Sequence, residues 1–478
     1  MSNSPTNPGF TVPELTTHVK LVKPSLIIAQ SDNLPTLAKV GVPRDRIVCI
    51  DKHHGYTSIP DLLEEGRRLP VPPEVKLKPG EGKERIAFLN ASSGTTGPPK
   101  VIKISHYAVI ANVLLTAVHN KIHLDYAPWS ERRYRAGDSC LAVLPLYHIY
   151  GLDLVLSVHV QNLPFAECLM KVFAPLVLKI SVVVVPKFSF QKMLTSIARY
   201  RITHLMIVPP QGVLLCKATD ADLSSLRLIL CASSALPREL YDTLVKTFPH
   251  MHIGQAFGAT EVTGVTSMCP IDDKHNPSCG TLIPGVIGKV VKPDGTLART
   301  GEEGELLIQT MSPASGYVDN EAATRETFLD DGWIRSGDIV RIDAAGNIDI
   351  VDRVKEMLKV RGYQVAPAEL ENTILESPLA DDVCVVGIPD LYSGELPLAF
   401  VVPSQRGKDM IRNGEGDKVK KGIMQHVSLN KSRFKHLARV EFMENISRSP
   451  SGKLVRRDLR EYAKKLVAQE AAQVSAKL

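Results

Sequence analysis

Short apolar runs rich in Val, Ile and Leu recur through the first half of the chain. They include Ser25-Leu26-Ile27-Ile28-Ala29, Arg46-Ile47-Val48-Cys49-Ile50, Cys140-Leu141-Ala142-Val143-Leu144, His204-Leu205-Met206-Ile207-Val208 and Leu228-Ile229-Leu230-Cys231-Ala232. Runs without a polar face, bounded by Pro, Gly or charge, predict strands buried on both sides. Helical patterns alternate with them up to about Phe257, so the expectation is an α/β fold with parallel-rich sheets. The stretch Leu176 to Val185 predicts a buried helix running into a parallel strand, Val182-Val183-Val184-Val185. Lys179 and Ser181 interrupt it, and it is too short to span a bilayer.

The texture changes at Gly280. From there to Asp352, turn signals such as Pro293-Asp294-Gly295 and Ala345-Gly346-Asn347 separate short strands, which predicts a small antiparallel β region. The block from Arg353 to Leu478 mixes helix and strand and is richer in Lys and Arg. Within it, the Gly- and charge-rich segment Gln405 to Lys421 reads as a loop leading into a helix. The expected organisation is multidomain: a large N-terminal lobe, 1–352, with 280–352 as its β-rich part, then a small α+β domain, 353–478, with the boundary at Asp352-Arg353-Val354-Lys355. No internal repeat is visible.

Composition narrows the function classes. The 478 residues are 44% hydrophobic and 23% charged, an ordinary globular balance with room for a large core. A net charge of +6 is mild for this length and suits phosphorylated small molecules. No basic patch with interleaved aromatics points to nucleic acid. Eight cysteines, from Cys49 to Cys384, are scattered without a Cys-x-x-Cys pair, which argues for a reducing compartment. The pairs His53-His54 and His250/His252 lack a second half of a metal site. The polar stretch Met1 to Gly9 has no apolar core of a secretory signal. The terminal Ala476-Lys477-Leu478 is close to a Ser-Lys-Leu peroxisomal address. It predicts recognition by an import receptor and peroxisomal localisation, with the cytoplasm as the alternative.

One short loop concentrates chemistry: Ser92-Ser93-Gly94-Thr95-Thr96-Gly97-Pro98-Pro99-Lys100. Glycine lets backbone amides approach an oxyanion, hydroxyls add donors, and the lysine adds a mobile charge. Strand-like flanks, Ile86-Ala87-Phe88-Leu89 and Val101-Ile102-Lys103-Ile104, predict a hairpin. It is not a Walker A loop, because Pro98 and Pro99 precede the lysine and no helix follows. Read alone, it is a polyphosphate cradle or a surface turn of small residues.

The order of motifs decides between them. After the loop come Gln255-Ala256-Phe257-Gly258-Ala259-Thr260-Glu261, Gly332-Trp333-Ile334-Arg335-Ser336-Gly337-Asp338, the stretch from Asp352 to Glu371 (beginning Asp352-Arg353-Val354-Lys355-Glu356), and Ser449-Pro450-Ser451-Gly452-Lys453. This series resembles the adenylate-forming enzymes, and Asp352 to Glu371 resembles the 4-coumarate:CoA ligases and related acyl-CoA ligases. The resemblance implies an AMP-forming acid–thiol ligase that uses ATP, Mg²⁺ and CoA on a small-molecule carboxylic acid. It implies that Ser92, Ser93, Gly94, Thr95, Thr96, Gly97 and Lys100 hold the β- and γ-phosphates, Thr260 the α-phosphate, and Glu261 the magnesium. Phe257 would stand near adenine. Asp338, following a strand expected to end at Ser336-Gly337, would by this resemblance accept from both ribose hydroxyls, with Arg353 beside it. Lys453 would bridge the carboxylate and the α-phosphate during attack. Lys359 and Gln364 would contact the adenylate, Lys355 would be the hinge of a mobile small domain, and Gly362 would line the pantetheine tunnel.

His148, in Leu144-Pro145-Leu146-Tyr147-His148-Ile149-Tyr150-Gly151, matches a position beside the acyl carboxylate. Tyr147, Ala232 to Ala235 and Phe257 to Glu261 would form the acyl pocket. Ser233 replaces a glycine that leaves room for substrate in relatives, and Ser336 stands where threonine is common. An aromatic, medium-chain or polyketide-derived acid of secondary metabolism would fit. Asn7-Pro8-Gly9-Phe10-Thr11-Val12-Pro13-Glu14-Leu15 resembles a segment well inside the family's sequences. Lacking the family's opening portion, on the order of a hundred residues, would expose apolar surface or a sheet edge on the large lobe. Two rivals stay open at this point: an adenylation enzyme that loads a carrier-protein thiol, and a truncated, non-catalytic homologue.

Overall fold

Period-two burial divides the parallel strands between two cores. Cys140, Leu144, Met206, Val208, Leu230 and Ala232 point into one, while their chain neighbours Leu141, Val143, Leu205, Ile207, Ile229 and Cys231 point into the other. This is why the runs show no polar face. The computed structural model describes residues 2–91, 100–152, 180–186, 188–218, 220–234, 236–354, 356–360, 363–390, 393–448 and 454–475. The parallel strands lie in the order Ser181–Val184, Ser139–Ala142, His204–Ile207, Leu228–Cys231, His252–Ala259, and antiparallel Gly264–Met268 and Thr281–Leu282 complete a seven-stranded sheet. Each predicted strand is present. The helix expected before Val182 lies outside the described residues.

The order reverses at Ser139–Ala142, which pairs Ser181–Val184 on one side and His204–Ile207 on the other. Such a switch point opens a crevice at the carboxyl ends of the strands, where α/β sheets bind ligands. Helices Phe190–Tyr200 and Arg238–Thr247 cover one face through Met193, Ile197, Tyr241 and Leu244. The other face packs against an antiparallel four-stranded sheet, Val286–Val291, Glu303–Thr310, Ile334–Ile342 and Ile348–Arg353. This is the β region expected over 280–352. Asp338 differs from expectation in one respect. The strand does not end at Ser336-Gly337 but continues through Asp338, with Gly337 at φ 70° kinking it.

Before the large sheet lie a parallel trio, Ile27–Ala29, Ile47–Cys49 and Thr57–Ser58, and the expected hairpin, Ile86–Ala91 with Val101–Ser105. The trio is covered on one face by Leu34 and Leu37. Its other face is open, with Ile28 58% and Ile50 50% exposed. The last block carries a five-stranded sheet, Tyr363–Val365, Leu358–Val360, Gly394–Pro403, Ala380–Asp390 and Arg439–Phe442, with helices Pro367–Leu375 and Gly416–Asn430 on one face. The loop expected over Gln405 to Lys421 is instead a helix, Gln405–Arg412, a turn at Gly414 and the start of the next helix. The Ser404 hydroxyl caps the first by accepting from the Gly407 amide at 3.2 Å. Val419, Ile423 and Val427, four residues apart, bury one stripe of the second.

At the amino ends of the parallel strands, His204 is fully buried and stacks on Tyr134 with ring centroids 4.6 Å apart. Its Nε2 lies 2.9 Å from the Arg133 carbonyl. Burial pushes its pKa down to about 4 against the opposing pull of Asp138, and burial does the same to His252. An imidazole that takes its proton less readily folded than unfolded adds stability that is complete above pH 6.5 and lost as pH falls toward 4. The melting temperature is therefore expected to fall steeply across that window, with His204 contributing on the order of 2–3 kcal/mol. His204→Phe keeps a ring against Tyr134 and should flatten the fall, whatever it does to the plateau. An unchanged slope between pH 6.5 and 4 would contradict the assignment.

Candidate active site

The site is assembled by a segment that touches two others. Ser315 to Val318 runs beside the hairpin strand Val101–Ser105: Lys103 donates to Gly316 at 2.9 Å, Ser315 to Lys103 at 2.7 Å and Val318 to Val101 at 2.8 Å. Ile102 and Tyr317 face each other in this ladder. The same segment is stapled to the turn Thr260–Val262. Ala314 donates to the Glu261 carbonyl at 2.9 Å, and the Ser312 hydroxyl to that of Val262 at 3.1 Å. Lys100, immediately before the hairpin strand, and Glu261, in the turn, are thereby brought to one residue, Tyr317.

Tyr317 meets both. Its hydroxyl donates to Glu261 Oε1 at 2.8 Å, and the Lys100 ammonium sits 4.6 Å from its ring centroid. Burial and the Glu261 charge hold the phenol above its ordinary pKa, so it stays a neutral donor. The ring face offers the ammonium a cation–π partner. Sequence reasoning misses Tyr317. The signal that could find it is the Gly316-Tyr317 pair before the helix Glu321–Thr327, but its role depends on tertiary pairing.

The turn carrying Glu261 follows a bulged strand end. Strand His252–Ala259 shifts register between Phe257 and Gly258 against Gly264–Met268. A Cβ at Gly258 would lie 2.0 Å from the Gly264 carbonyl oxygen, so only glycine fits this approach. Thr260 is buried, and its carbonyl accepts from the Thr263 amide at 3.1 Å. Phe257 is half-buried against the core beneath the sheet.

A second charged pair lies next to the first. Arg353 Nε is 2.6 Å from Asp338 Oδ1, and the two residues are register partners on adjacent strands. Asp338 is 2% exposed. The Asp338 carboxylate is the main influence raising the Arg353 pKa, and Glu261 adds to it, so the two pairs belong to one electrostatic field. Val354 donates to the Gly337 carbonyl at 2.9 Å, holding the chain beyond Arg353 against the Asp338 strand.

His148 sits on the loop leaving Ser139–Ala142, at the switch point. The Tyr150 amide donates to its Nδ1 at 3.3 Å, and the Tyr150 hydroxyl donates to the Leu230 carbonyl at 2.9 Å. The loop is thus tied to strand Leu228–Cys231, after which come Ser233 and Ser234. Ser233 has φ 76°, a left-handed conformation that costs a non-glycine residue roughly 1–2 kcal/mol. A glycine at this position would relieve that cost, a backbone effect separate from room for substrate. Burial raises the Tyr147 pKa. Lys359 and Gln364 are register partners across a short hairpin. Ser92 to Gly97, Lys355, Gly362 and Lys453 lie outside the described residues. Lys100, His148, Thr260, Glu261 and Arg353 fall at or next to strand ends or turns, Phe257 adjoins the bulge of its strand, and Asp338 lies within strand Ile334–Ile342.

The Glu261 carboxylate is an oxygen ligand suited to a hard cation that keeps waters and phosphate oxygens as its other ligands. Magnesium fits Glu261 in that sense. Among the described residues no three His, Cys, Asp or Glu side chains are grouped as a metal cage. None of the described helices is long and apolar enough to cross a membrane.

Comparison with known proteins places this arrangement. Residues 1–163 and 159–318 match the AMP-binding enzyme family, and residues 369–453 match the AMP-binding enzyme C-terminal domain. The chain is 32% identical to 4-coumarate–CoA ligase 2 of Nicotiana tabacum, over 95% of this chain and 79% of that one. It is 30% identical to the acyl-CoA ligase easD of Emericella nidulans, over 95% and 80%. Its fold is similar to that of the anthranilate CoA ligase AuaEII in complex with anthranoyl-AMP, with TM-score 0.77, 25% identity and coverage of 97% and 83%. It is also similar to ATP-bound MatB from Rhodopseudomonas palustris, with TM-score 0.79, 23% identity and coverage of 97% and 84%. With a family match over most of its length and a relative 32% identical over 79% of that relative's chain, this chain belongs to the AMP-binding, adenylate-forming enzymes.

Proposed function

We propose that the site joins a carboxylic acid to CoA in two steps, through an acyl-adenylate. ATP-dependent acid–CoA ligation is the activity its family and relatives support, and the convergence of Lys100, Tyr317 and Glu261 beside Asp338–Arg353 is the observation that carries the reading here. The acid's carboxylate oxygen attacks the α-phosphorus, the α–β bridging bond breaks, and pyrophosphate leaves. The CoA thiol then attacks the acyl carbon, and AMP departs with the bonding pair.

Each residue has a task in this scheme. Ser92 to Gly97 and Lys100 hold the β- and γ-phosphates, and Lys100 leaves the Tyr317 ring to do so. Thr260 contacts the α-phosphate. Glu261 would hold magnesium, which supplies charge neutralisation for the departing pyrophosphate. Tyr317 orients the Glu261 carboxylate and stays protonated. Asp338 accepts the ribose hydroxyls with Arg353 steadying it, and Phe257 flanks adenine. His148, at the switch point, faces the acyl end, where Ser233 narrows the pocket relative to a glycine. Lys453 bridges the attacking carboxylate and the α-phosphate, where a pre-organised cation matches charge that develops only in the transition state. Lys359 and Gln364 contact the adenylate.

The lobe 1–352 and the domain 353–478 would exchange an adenylating for a thiolating arrangement by rotation at Lys355, a few dihedrals absorbing the change. Gly362 then lines the thiol's path. Ala476-Lys477-Leu478 would direct the protein to peroxisomes. Incubating the protein with ATP, Mg²⁺, CoA and a panel of aromatic, medium-chain and polyketide-derived acids, with products read by mass spectrometry, tests the reading. Pyrophosphate release without any acyl-CoA would shift the thiol acceptor to a carrier protein.

Tyr317→Phe should raise the magnesium needed for half-maximal pyrophosphate release by about tenfold, the worth of a hydrogen bond to a charged group. The KM for the acid should hold. Tyr317→Leu, which also removes the ring that Lys100 leaves on binding phosphate, should raise the magnesium requirement at least as much without raising the KM for ATP. Identical magnesium curves for wild type and Tyr317→Phe would reduce Tyr317 to a packing residue.

Lys453→Ala should cost adenylate formation on the order of 3–4 kcal/mol of barrier and spare thioester formation from supplied acyl-adenylate. Gly362→Leu should do the reverse by filling the thiol path. Parallel losses in both half-reactions would contradict these assignments.

Removing Ala476-Lys477-Leu478 should leave turnover unchanged and move a tagged protein from peroxisomes to cytosol, because the address is read by a receptor. An intact protein found in the cytosol would end this assignment.

A further inference from the structure

A buried ion cluster in the last block plays no part in the chemistry above. Glu356, 3% exposed, lies three residues past Arg353. Its amide donates to the Arg353 carbonyl at 2.9 Å, and that of Met357 does so at 3.1 Å, forming a tight turn directly after the Asp338–Arg353 pair. The Glu356 carboxylate faces two arginines from the final helix, Arg456–Ser475, and hydrogen-bonds one of them, Arg460. Arg460 Nη2 is 3.1 Å and Arg456 Nε 3.5 Å from its Oε2. Arg456 Nη2 also reaches Glu371 Oε2 at 2.5 Å, while Glu371 Oε1 accepts from the Val385 amide at 2.8 Å.

Arg456 stands three residues after Lys453. The chain on both sides of 449–453 is fixed at its neck. Arg448 and Leu454 pair as a bridge, the Val455 amide donates to the Ser447 carbonyl at 3.0 Å, and Arg448 binds Asp382 at 2.7 Å. The apolar contacts of Ile446, Leu459 and Ala463 with Phe400 already hold the final helix to the sheet. Hydrophobic packing sets distance but tolerates small slides. A guanidinium set between two carboxylates, hydrogen-bonded to Glu371 through Nη2 and in ionic contact with Glu356 through Nε, does not, and replacing either carboxylate leaves buried charge unmatched. The cluster's distinctive contribution is therefore registration: it ties the neck of the Lys453 segment to the turn that leaves the ribose pair.

We propose that Glu356 and Arg456 form a strut that positions Lys453 for the adenylating half-reaction. Glu356 touches neither substrate nor nucleotide in this role; it acts through Arg456 and the neck. Rotation about Lys355, one residue earlier, is then passed to Lys453 as rigid movement rather than dissipated. The proposal rests on the role of Lys453 given above.

The test compares Glu356→Gln, Arg456→Lys and Lys453→Ala in the full chain. Glu356→Gln is isosteric and leaves Arg456 paired with Glu371. Arg456→Lys keeps the charge but loses the guanidinium. Three readouts are taken: ATP–pyrophosphate exchange with an accepted acid, thioester formation from synthetic acyl-adenylate and CoA, and amide hydrogen exchange over 446–455. For both strut variants, pyrophosphate exchange should fall on the order of ten- to a hundredfold, the scale of a small misplacement of a reacting group. Thioester formation should change less than about twofold, and exchange at 446–455 should accelerate while the strands of the large lobe keep their protection. Parallel loss of both half-reactions, or no loss in either, overturns the strut. If Lys453→Ala fails to separate the half-reactions, the role of Lys453 falls instead, and amide exchange alone then decides. Faster exchange at 446–455 in Glu356→Gln retains the strut, and unchanged exchange rejects it.

Discussion

The pairing of Ser315 to Val318 with the strand Val101–Ser105 is the contact on which the site depends. It is a short run of main-chain bonds, three of them between 2.7 and 2.9 Å, yet it joins three parts of the chain far apart in sequence. Lys100 arrives with the hairpin, Glu261 with the turn after the fifth parallel strand, and Tyr317 with the connecting segment. Backbone hydrogen bonds suit this purpose because they fix register to within a residue, and a one-residue slip would turn Tyr317 to the opposite face. The buried aromatic then does what a flexible acid–base pair could not. It separates an ammonium from a carboxylate that would otherwise collapse into an ion pair, and leaves both charges facing the place where phosphates and a hard cation are proposed to sit. A direct Lys100–Glu261 bridge would have to be broken by nucleotide; a cation–π contact and one hydrogen bond are easier to exchange.

The same logic governs the Asp338–Arg353 pair. Asp338 is nearly inaccessible, and a buried carboxylate without a partner is costly. Arg353 meets it by standing opposite it in the antiparallel ladder, so ladder geometry rather than side-chain search sets the 2.6 Å contact. The chain leaves that ladder directly into the Glu356 turn. Asp352 and Arg353 at one end and Glu356 at the other thus link the strand that carries this pair to the small α+β sheet. Asp352 contributes to the junction, its Oδ2 accepting from the Ala368 amide at 2.9 Å.

The amino-acid sequence carries much of this on its surface. In the large sheet the apolar runs mark the parallel strands because residues buried on both faces leave no polar alternation, whereas the runs Ser25 to Ala29 and Arg46 to Ile50 depart from the expected burial, with Ile28 and Ile50 on an open face. The turn signals of 280–352 mark the antiparallel sheet because Gly295 and Gly346 take φ near +85° and +83°. Ordered motifs locate Glu261, Asp338 and Arg353. What the sequence hides has a common physical origin. The helices of 405–421 are masked by Gly407, Gly414 and Gly416, whose low helix propensity is overridden by the Ser404 cap and by burial of Val419, Ile423 and Val427. Tyr317 is hidden because a cross-segment pairing leaves no local period. Ser233 reads in sequence as a matter of pocket volume, whereas its φ of 76° shows that the backbone itself asks for glycine there. Gly337 looks like a terminator that would leave Asp338 beyond a strand end, and the fold uses it as a kink within a longer strand.

Ser233 also bears on how the acyl pocket chooses its acid. A serine held in the left-handed region carries roughly 1–2 kcal/mol of conformational cost that a glycine would not. Such strain persists only where surrounding structure over-determines the backbone, and here strand Leu228–Cys231 precedes it while the Leu236 amide donates to the buried Gln255 side chain at 3.2 Å shortly after it. The left-handed conformation also sets the direction of the hydroxymethyl group, since Cβ follows the backbone. On the loop after the parallel strand Leu228–Cys231, that group adds bulk that a glycine would not add to the wall where the acid is proposed to lie, so the residue that strains the backbone also narrows the proposed acyl end.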